Sequence, residues 1–260
     1  KIIFCNNCYT AYQDKEVSKY ELFHKNYHYR AKMTGSVLSG MKDLVNTTEN
    51  VIGSLKNKNV LDIGCNDGSL LDFFKQKGSC TYGIEPTGAA LESKHKTYNM
   101  FFDKQSASLV KKEIEKIDII TFTNVFAHIE NFTELLNNLK LITNEDTIIV
   151  IENHYLGAVL NKDQFDTFYH EHPRTYSIKS FEYISKKLSL DILKVEFPDR
   201  DGGNIRVILG KKDYFKNKTF YINDENEFEE EILLMQKKTD KWKKNCKKLI
   251  KKLLHLNGNK

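Results

Sequence analysis

Apolar and polar positions change rhythm along the chain in blocks whose lengths suit strands and helices in turn. NVLDIG (59–64), TYGIEP (81–86), IDIITFTNVF (117–126) and DTIIVIEN (146–153) are short apolar-centred runs, the signature of strands buried on both faces. Between them lie SLLDFFKQKG (69–78) and NFTELLNNLKLI (131–142), whose leucines recur at helical spacing. A further helix is predicted from Gly35 to Leu55, ahead of the first strand. Such alternation predicts an α/β fold with parallel strands, crossover helices and a ligand site at the carboxyl ends of the strands. ILKVEF (192–197) and GGNIRVILG (202–210) read as late strands adding an antiparallel edge. One last helical pattern runs from Asn223 to about Leu256, with Ile232, Leu233, Trp242, Leu249, Ile250, Leu253 and Leu254 among lysines. It is expected to pack one face and solvate the other.

The pattern divides the chain into a segment 1–34, a main domain 35–222 and a basic amphipathic helix 223–260. An apolar content of 40% suits a packed core. The net charge of +5 changes meaning once it is located: residues 236–260 hold ten lysines and one aspartate, or +9, leaving −4 for residues 1–235. Basicity belongs to the last helix, so no nucleic-acid partner is expected for the body. No integral membrane segment is expected, since no run approaches eighteen apolar residues. KIIFCNNC lacks a signal-peptide pattern and the five cysteines lack regular spacing, which points to a cytoplasmic location. Oligomeric state is not readable.

The candidate chemistry starts at VLDIGCNDGSLL, where the first strand turns into a helix. Asp62, Gly64, Asn66 and Gly68 form a D-x-G-x-N-x-G pattern that lets a ligand approach the backbone and leaves helix N–H groups free. A nicotinamide dinucleotide would suit such a turn equally well. Glu85, followed by Pro86, ends the next strand seventeen residues after Gly68, where a carboxylate can accept hydrogen bonds from both ribose hydroxyls of an adenosine. Asn124, Val125 and His128 follow at the end of the strand after that. Three strand ends facing one pocket are similar to the class I S-adenosylmethionine-dependent methyltransferases, with a Rossmann-like sheet.

QFDTFYHEHPRTYS (164–177) places Tyr169, His170, Glu171 and His172 in consecutive positions. Pro173 rules out a zinc-binding H-E-x-x-H helix. In an extended segment His170 and His172 would share one side, and Tyr169 and Glu171 the other; a polar surface loop is the plainer alternative.

NDGSLL, GIEPT, NVFAHI, QFDTFYHEH, TYS and GGNIRV occur in that order, and together they resemble the sugar methyltransferase family that includes the deoxysugar C-3 methyltransferases, over nearly the whole chain. The resemblance implies S-adenosylmethionine as cofactor, S-adenosylhomocysteine as product, and a sugar, nucleotide-activated, as acceptor. In that family a nucleotide-linked 4-keto sugar loses the proton beside its ketone and the enolate takes the methyl group. The matching catalytic group is His128, Tyr169, Glu171 and His172, with His172 the principal base and His170 structural. FHKNYHYRAKMTGS (23–36) matches an aromatic stretch that closes over the cofactor and nominates Tyr27 and Tyr29. The family usually carries two Cys-x-x-Cys pairs for zinc; here only Cys5 and Cys8 stand, so zinc is not expected. It also continues into a further α/β domain that helps hold the nucleotide sugar, and LHLNGNK lies close to where that would begin. On that ground methylation of a hydroxyl is slightly preferred to carbon. Asp201 stands where the family often has a histidine before the glycine pair.

Two other functions remain open. Cys5, Cys8, His24 and His28 satisfy a zinc-finger spacing, which with the lysine helix would make a nucleic-acid-binding protein. A catalytically silent scaffold is the other, disfavoured by retention of the four catalytic side chains.

Overall fold

The computed structural model describes residues 1–214 and 225–257. Ten strands occur in this part: β1 (Ile2–Cys5), β2 (Thr10–Gln13), β3 (Asn59–Ile63), β4 (Cys80–Ile84), β5 (Lys96–Tyr98), β6 (Ile119–Thr123), β7 (Ile148–His154), β8 (Arg174–Thr175), β9 (Asp191–Glu196) and β10 (Asn204–Gly210). The α-helices are α1 (Lys19–Leu22), α2 (Gly35–Ile52), α3 (Ser69–Gln76), α4 (Lys104–Glu113), α5 (Phe132–Ile142), α6 (Leu156–Asn161), α7 (Ile178–Leu188) and α8 (Phe228–Asn257).

Seven strands form one sheet in the order β5-β4-β3-β6-β7-β10-β9. The first five pair in parallel, whereas β10 runs antiparallel to both β7 and β9. The period of two along each strand sorts its side chains between two cores. Ile149 and Ile151 of β7 pack with α4, α5 and α7 through Val110, Leu139 and Phe181. Ile148 and Val150 pack on the opposite face with α2 and α3 through Leu44, Leu70 and Phe74. Helices on both faces leave the sheet open to a ligand only at the strand ends, and the order reverses at β3, beside which β4 and β6 lie.

α2 begins at Gly35 as expected but ends at Ile52 rather than Leu55, because Gly53 takes a φ of 84° and breaks the helical path. The boundary expected at 222/223 lies outside the described residues. α8 packs through Phe228, Ile232 and Met235, and Trp242 rests on Phe165 with ring centroids 5.2 Å apart. Leu249, Ile250, Leu253 and Leu254 are each more than half exposed, so its packed face is shorter than the leucine spacing suggests. No helix among the described residues is long and apolar enough to cross a membrane.

The small antiparallel sheet β1-β2-β8 is not among the expected elements, although β1 reads IIFC. It joins the N-terminal segment to the chain just after YHEH. Gln13 sits at its edge: its backbone N–H donates to the Pro173 carbonyl at 3.0 Å, and its side-chain amide donates to the carbonyls of Tyr169 (2.5 Å) and His172 (3.0 Å).

Candidate active site

A cavity of about 340 Å³ opens at the carboxyl ends of β3, β4, β6 and β7, large enough for a nucleoside-sized ligand. Tyr27, Tyr29, Asp62, Gly64, Asn66, Glu85, Pro86, Asn124, Val125, His128, Tyr169, Glu171 and His172 all line it. Gly68 does not. Its φ of 82° turns the chain into α3, and a Cβ there would lie 2.7 Å from Ser93 Oγ and 2.9 Å from the His95 ring. The close approach at this glycine is therefore made by Ser93 and His95.

At Gly64 the chain must also be a glycine: φ is 73°, and a Cβ would meet the Val125 methyl groups at 2.4 and 2.7 Å. Asp67 precedes the Gly68 N-cap of α3 and accepts from the Ser69 N–H at 3.2 Å and the Ser69 hydroxyl at 2.6 Å. Asn66 lines the cavity but its amide holds the aromatic segment. Its Oδ1 accepts from the Ala31 N–H at 2.9 Å and its Nδ2 donates to the Tyr29 carbonyl at 3.1 Å.

Glu85 is buried at the end of β4, where its oxygens accept from the N–H groups of Asn66 (3.0 Å) and Thr87 (2.9 Å). A carboxylate has about four acceptor positions, so one on each oxygen is left for a ligand hydroxyl. Asp62 accepts from Thr121 Oγ1 at 2.7 Å; burial pushes its carboxyl up to about 7 against that bond, and the Glu85 charge adds to the rise.

On the far side of the cavity the YHEH segment is a turn, closed by the His172 N–H donating to the Tyr169 carbonyl at 2.8 Å. The alternation expected of an extended strand does not hold. Tyr169, Glu171 and His172 all reach the cavity, while His170 is exposed and outside it. His172 Nδ1 lies 3.2 Å from the Thr167 carbonyl and Nε2 3.2 Å from the Tyr169 hydroxyl. A carbonyl only accepts, so the proton sits on Nδ1 and the Nε2 lone pair receives the tyrosine O–H. Burial lowers the His172 imidazole to about 3, helped by the nearby His128 and His154. His128 donates from Nδ1 to the Glu171 carbonyl and is also lowered by burial. Burial, then the Glu171 charge, raises Tyr169 to about 12, and the same two causes raise Tyr27, whose hydroxyl donates to Glu171 Oε2 at 3.2 Å. The site thus holds neutral imidazoles beside phenols that stay protonated.

A family profile described as a methyltransferase domain matches residues 30–195. The chain belongs to this methyltransferase-domain family. A C-methyltransferase, NovU, of Streptomyces niveus is 26% identical over 210 residues, covering 79% of this chain and 50% of its own length. A ubiquinone biosynthesis O-methyltransferase of Coxiella burnetii is 23% identical over 90 residues, 33% of this chain and 38% of its own. The chain thus spans about half the length, or less, of these relatives. Among solved structures, a SAM-dependent methyltransferase from Archaeoglobus fulgidus aligns with a TM-score of 0.51 at 15% identity, over 75% of this chain and 100% of that one. The PH0226 protein of Pyrococcus horikoshii aligns at 0.52 and 13% identity, over 74% and 98%. These two likenesses concern the fold, a Rossmann-like α/β sheet.

S-Adenosylmethionine is the methyltransferase cofactor, and the cavity fits it. Besides the open positions on Glu85, Thr123 Oγ1 and Asn124 Oδ1 are buried at the end of β6 without a hydrogen-bond partner, and both line the cavity. Buried polar atoms are normally satisfied, so these two are ready for a polar ligand. No group of three or more side chains able to hold a metal occurs among the described residues.

His154 and Phe23 are among the cavity residues that the sequence reading does not single out. His154 follows directly on DTIIVIEN and is the last residue of β7; its position at a strand's carboxyl end was the available signal. Phe23, whose ring centroid is 5.2 Å from that of His128, opens the FHKNYHYRAKMTGS stretch, and membership of that stretch was its signal.

Proposed function

We propose that this chain methylates a sugar, nucleotide-activated, at the carbon next to a ketone, using S-adenosylmethionine. The observation that carries the reading is the contact between Tyr169 and His172 in the cofactor cavity. An enolate needs a base without a proton and a donor that keeps one; a neutral imidazole beside a phenol held near 12 supplies both. The carbon-methylating relative supports it, covering most of this chain, whereas the O-methyltransferase match covers a third.

In this mechanism Glu85, Asp62 and the Asn124–Val125 segment hold the adenosyl end, and Tyr27 and Tyr29 close over it. Bound S-adenosylmethionine supplies a methyl group already activated by its positive sulfur. The Tyr169 hydroxyl turns from His172 Nε2 to the ketone oxygen, which frees the Nε2 lone pair to take the proton from the neighbouring carbon and leaves the phenol donating to the developing oxyanion, while Glu171 orients a hydroxyl. His128 assists from the end of β6. Burial makes His172 a weak base, so the donor hydrogen bond and the alignment of carbon, methyl and sulfur must do much of the catalysis.

A hydroxyl acceptor is the competing outcome. Incubating the protein with a 4-keto nucleotide sugar in deuterated water without methyl donor decides between them. Deuterium appearing beside the ketone supports the enolate. An O-methyl product from a fully reduced sugar, with no wash-in from the ketone, would refute carbon methylation.

A further inference from the structure

His154 and Asp201 line the same cavity and take no part in the chemistry above. His128 and His172 have their Nδ1 atoms held by the carbonyls of Glu171 and Thr167. His154 Nδ1 is shielded from solvent and has no partner at hydrogen-bond geometry; the ring faces the Asp201 backbone and carboxylate, which oppose the lowering of the imidazole by burial, and its centroid lies 5.1 Å from that of His172. A buried ring nitrogen without a partner is unfavourable unless a ligand satisfies it.

Asp201 reaches the cavity from an unusual turn. Asp201, Gly202 and Gly203 have φ of 52°, 86° and 118° in succession, the first an uncommon value for a residue with a side chain. The turn is pressed against the segment leading to YHEH. A Cβ on Gly202 would lie 2.3 Å from Gln164 Nε2, and one on Gly203 2.6 Å from the Ala158 Cβ. Gln164 Nε2 and Lys162 Nζ both donate to the Gly202 carbonyl, at 3.1 and 2.9 Å. The pairing of Asn204 with His154 across β10 and β7 puts turn and imidazole at one end of the sheet. Arg200, next in sequence, is turned to the buried Glu152, to which its Nε donates at 2.6 Å, and reaches Asp201 at 3.8 Å.

We propose that His154 and Asp201 are the wall that reads the acceptor's hydroxyls, hydrogen-bonding the sugar next to the reacting carbon and so choosing which ring carbon faces the methyl donor. The inference rests on the sugar-methyltransferase reading. An imidazole nitrogen can donate or accept according to its tautomer, while a carboxylate accepts; together they match a pair of hydroxyls. A site built this way rejects an acceptor lacking the hydroxyl, because its own polar groups are then left unpaired. Both are positioning residues, and neither holds the transferred proton.

The test uses nucleoside-diphosphate-linked 4-keto-6-deoxyhexoses with and without hydroxyls flanking the reacting carbon, together with His154→Ala, the conservative His154→Asn, and Asp201→Gly, which removes the carboxylate while keeping a residue suited to positive φ. Each removal should raise the acceptor KM roughly tenfold, reduce the preference for the hydroxylated sugar, and leave S-adenosylmethionine affinity by calorimetry unchanged, which also reports a folded protein. His154→Asn should recover part of the KM. Wild-type KM and preference in both His154→Ala and Asp201→Gly, with wild type active on the same sugars, would overturn the pair alone. A wild-type protein that binds S-adenosylmethionine and methylates none of these sugars would overturn the function reading and the pair with it.

Discussion

The hydroxyl of Tyr169 donates to Nε2 of His172 across 3.2 Å, their ring centroids 4.3 Å apart, and the Thr167 carbonyl on the other ring nitrogen settles the direction of that bond. Three groups on one tight turn thus define a tautomer. His172→Ala should cut turnover by about 10²–10⁴, the usual cost of a general base, and leave cofactor affinity unchanged because the residue lies away from Glu85. Tyr169→Phe should lower kcat with a smaller change in KM. Steady-state kinetics beside calorimetry checks both; His172→Ala turning over at the wild-type rate would mean that the turn is not catalytic.

Glu85 has a double duty that separates two substitutions. Its oxygens hold the Asn66 and Thr87 N–H groups and have positions left for a ribose. Glu85→Ala should weaken S-adenosylmethionine binding by about 1.5–3 kcal/mol for each charged hydrogen bond lost. Glu85→Gln retains one acceptor oxygen and should fall in between. Unchanged affinity in a folded Glu85→Ala protein would remove this residue from the cofactor site.

The imidazoles also make stability depend on pH. Burial depresses His128, His154 and His172, the last from 6.5 to about 3. The unfolded chain therefore binds more protons below about pH 6.5, so their contribution is complete above that value and is lost as pH falls toward 3. Asp62, raised by burial from 3.8 to about 7, acts the other way between those values. Replacing His172 with Gln isolates the imidazole: the drop in Tm from pH 7.5 to pH 5 should be smaller than in wild type. An equal or larger drop would show that His172 is not held neutral.

Behind the cavity, Glu152 (0% exposed) and Arg206 (1%) are bonded at 2.7 Å between Oε2 and Nε. Arg206 also reaches Asp43 and Glu196, and Arg200 and Asn204 share the other Glu152 oxygen. Glu152→Met leaves an arginine buried beside a hydrophobe and should destabilise by about 3–5 kcal/mol. Glu152→Met with Arg206→Met should recover a large part of that. Denaturant unfolding of the four proteins decides it; a double variant less stable than either single would contradict the expected coupling.

Local pattern was enough for the parallel half of the sheet, because strands buried on both faces have to be apolar throughout. β3 and β6 fall within NVLDIG and IDIITFTNVF, while β4 starts one residue before TYGIEP, at Cys80, and β7 ends one residue after DTIIVIEN, at His154. The same reason made β10 visible, whereas the edge strand β9 shows the alternation of a strand with one packed face, Leu193 and Val195 buried between partly exposed neighbours. β5, at three residues, and β8, at two, carry too few side chains for any period to show. β1 and β2 exist because they pair with each other and with β8, a partnership no single segment announces.

The residues expected to hold the cofactor were legible from the glycine pattern, the resemblance and order along the chain, since the residue that follows a strand must lie at the sheet's carboxyl edge: Gly64, Glu85 and Asn124 each follow directly on a strand and line the cavity. Which groups meet on the acceptor side depended on the fold. A hydrogen-bonded turn, clamped by Gln13 from 156 residues away, swings Tyr169 and His172 to the same side where strand alternation would have parted Tyr169 from it. His154 and Asp201 come together only because β10 enters antiparallel to β7, bringing residues 47 positions apart in sequence to one end of the sheet. Sequence determines side-chain chemistry and local path; contact between such groups is decided by tertiary pairing, where hydrogen bonds and close packing between distant segments choose among the conformations each could adopt alone.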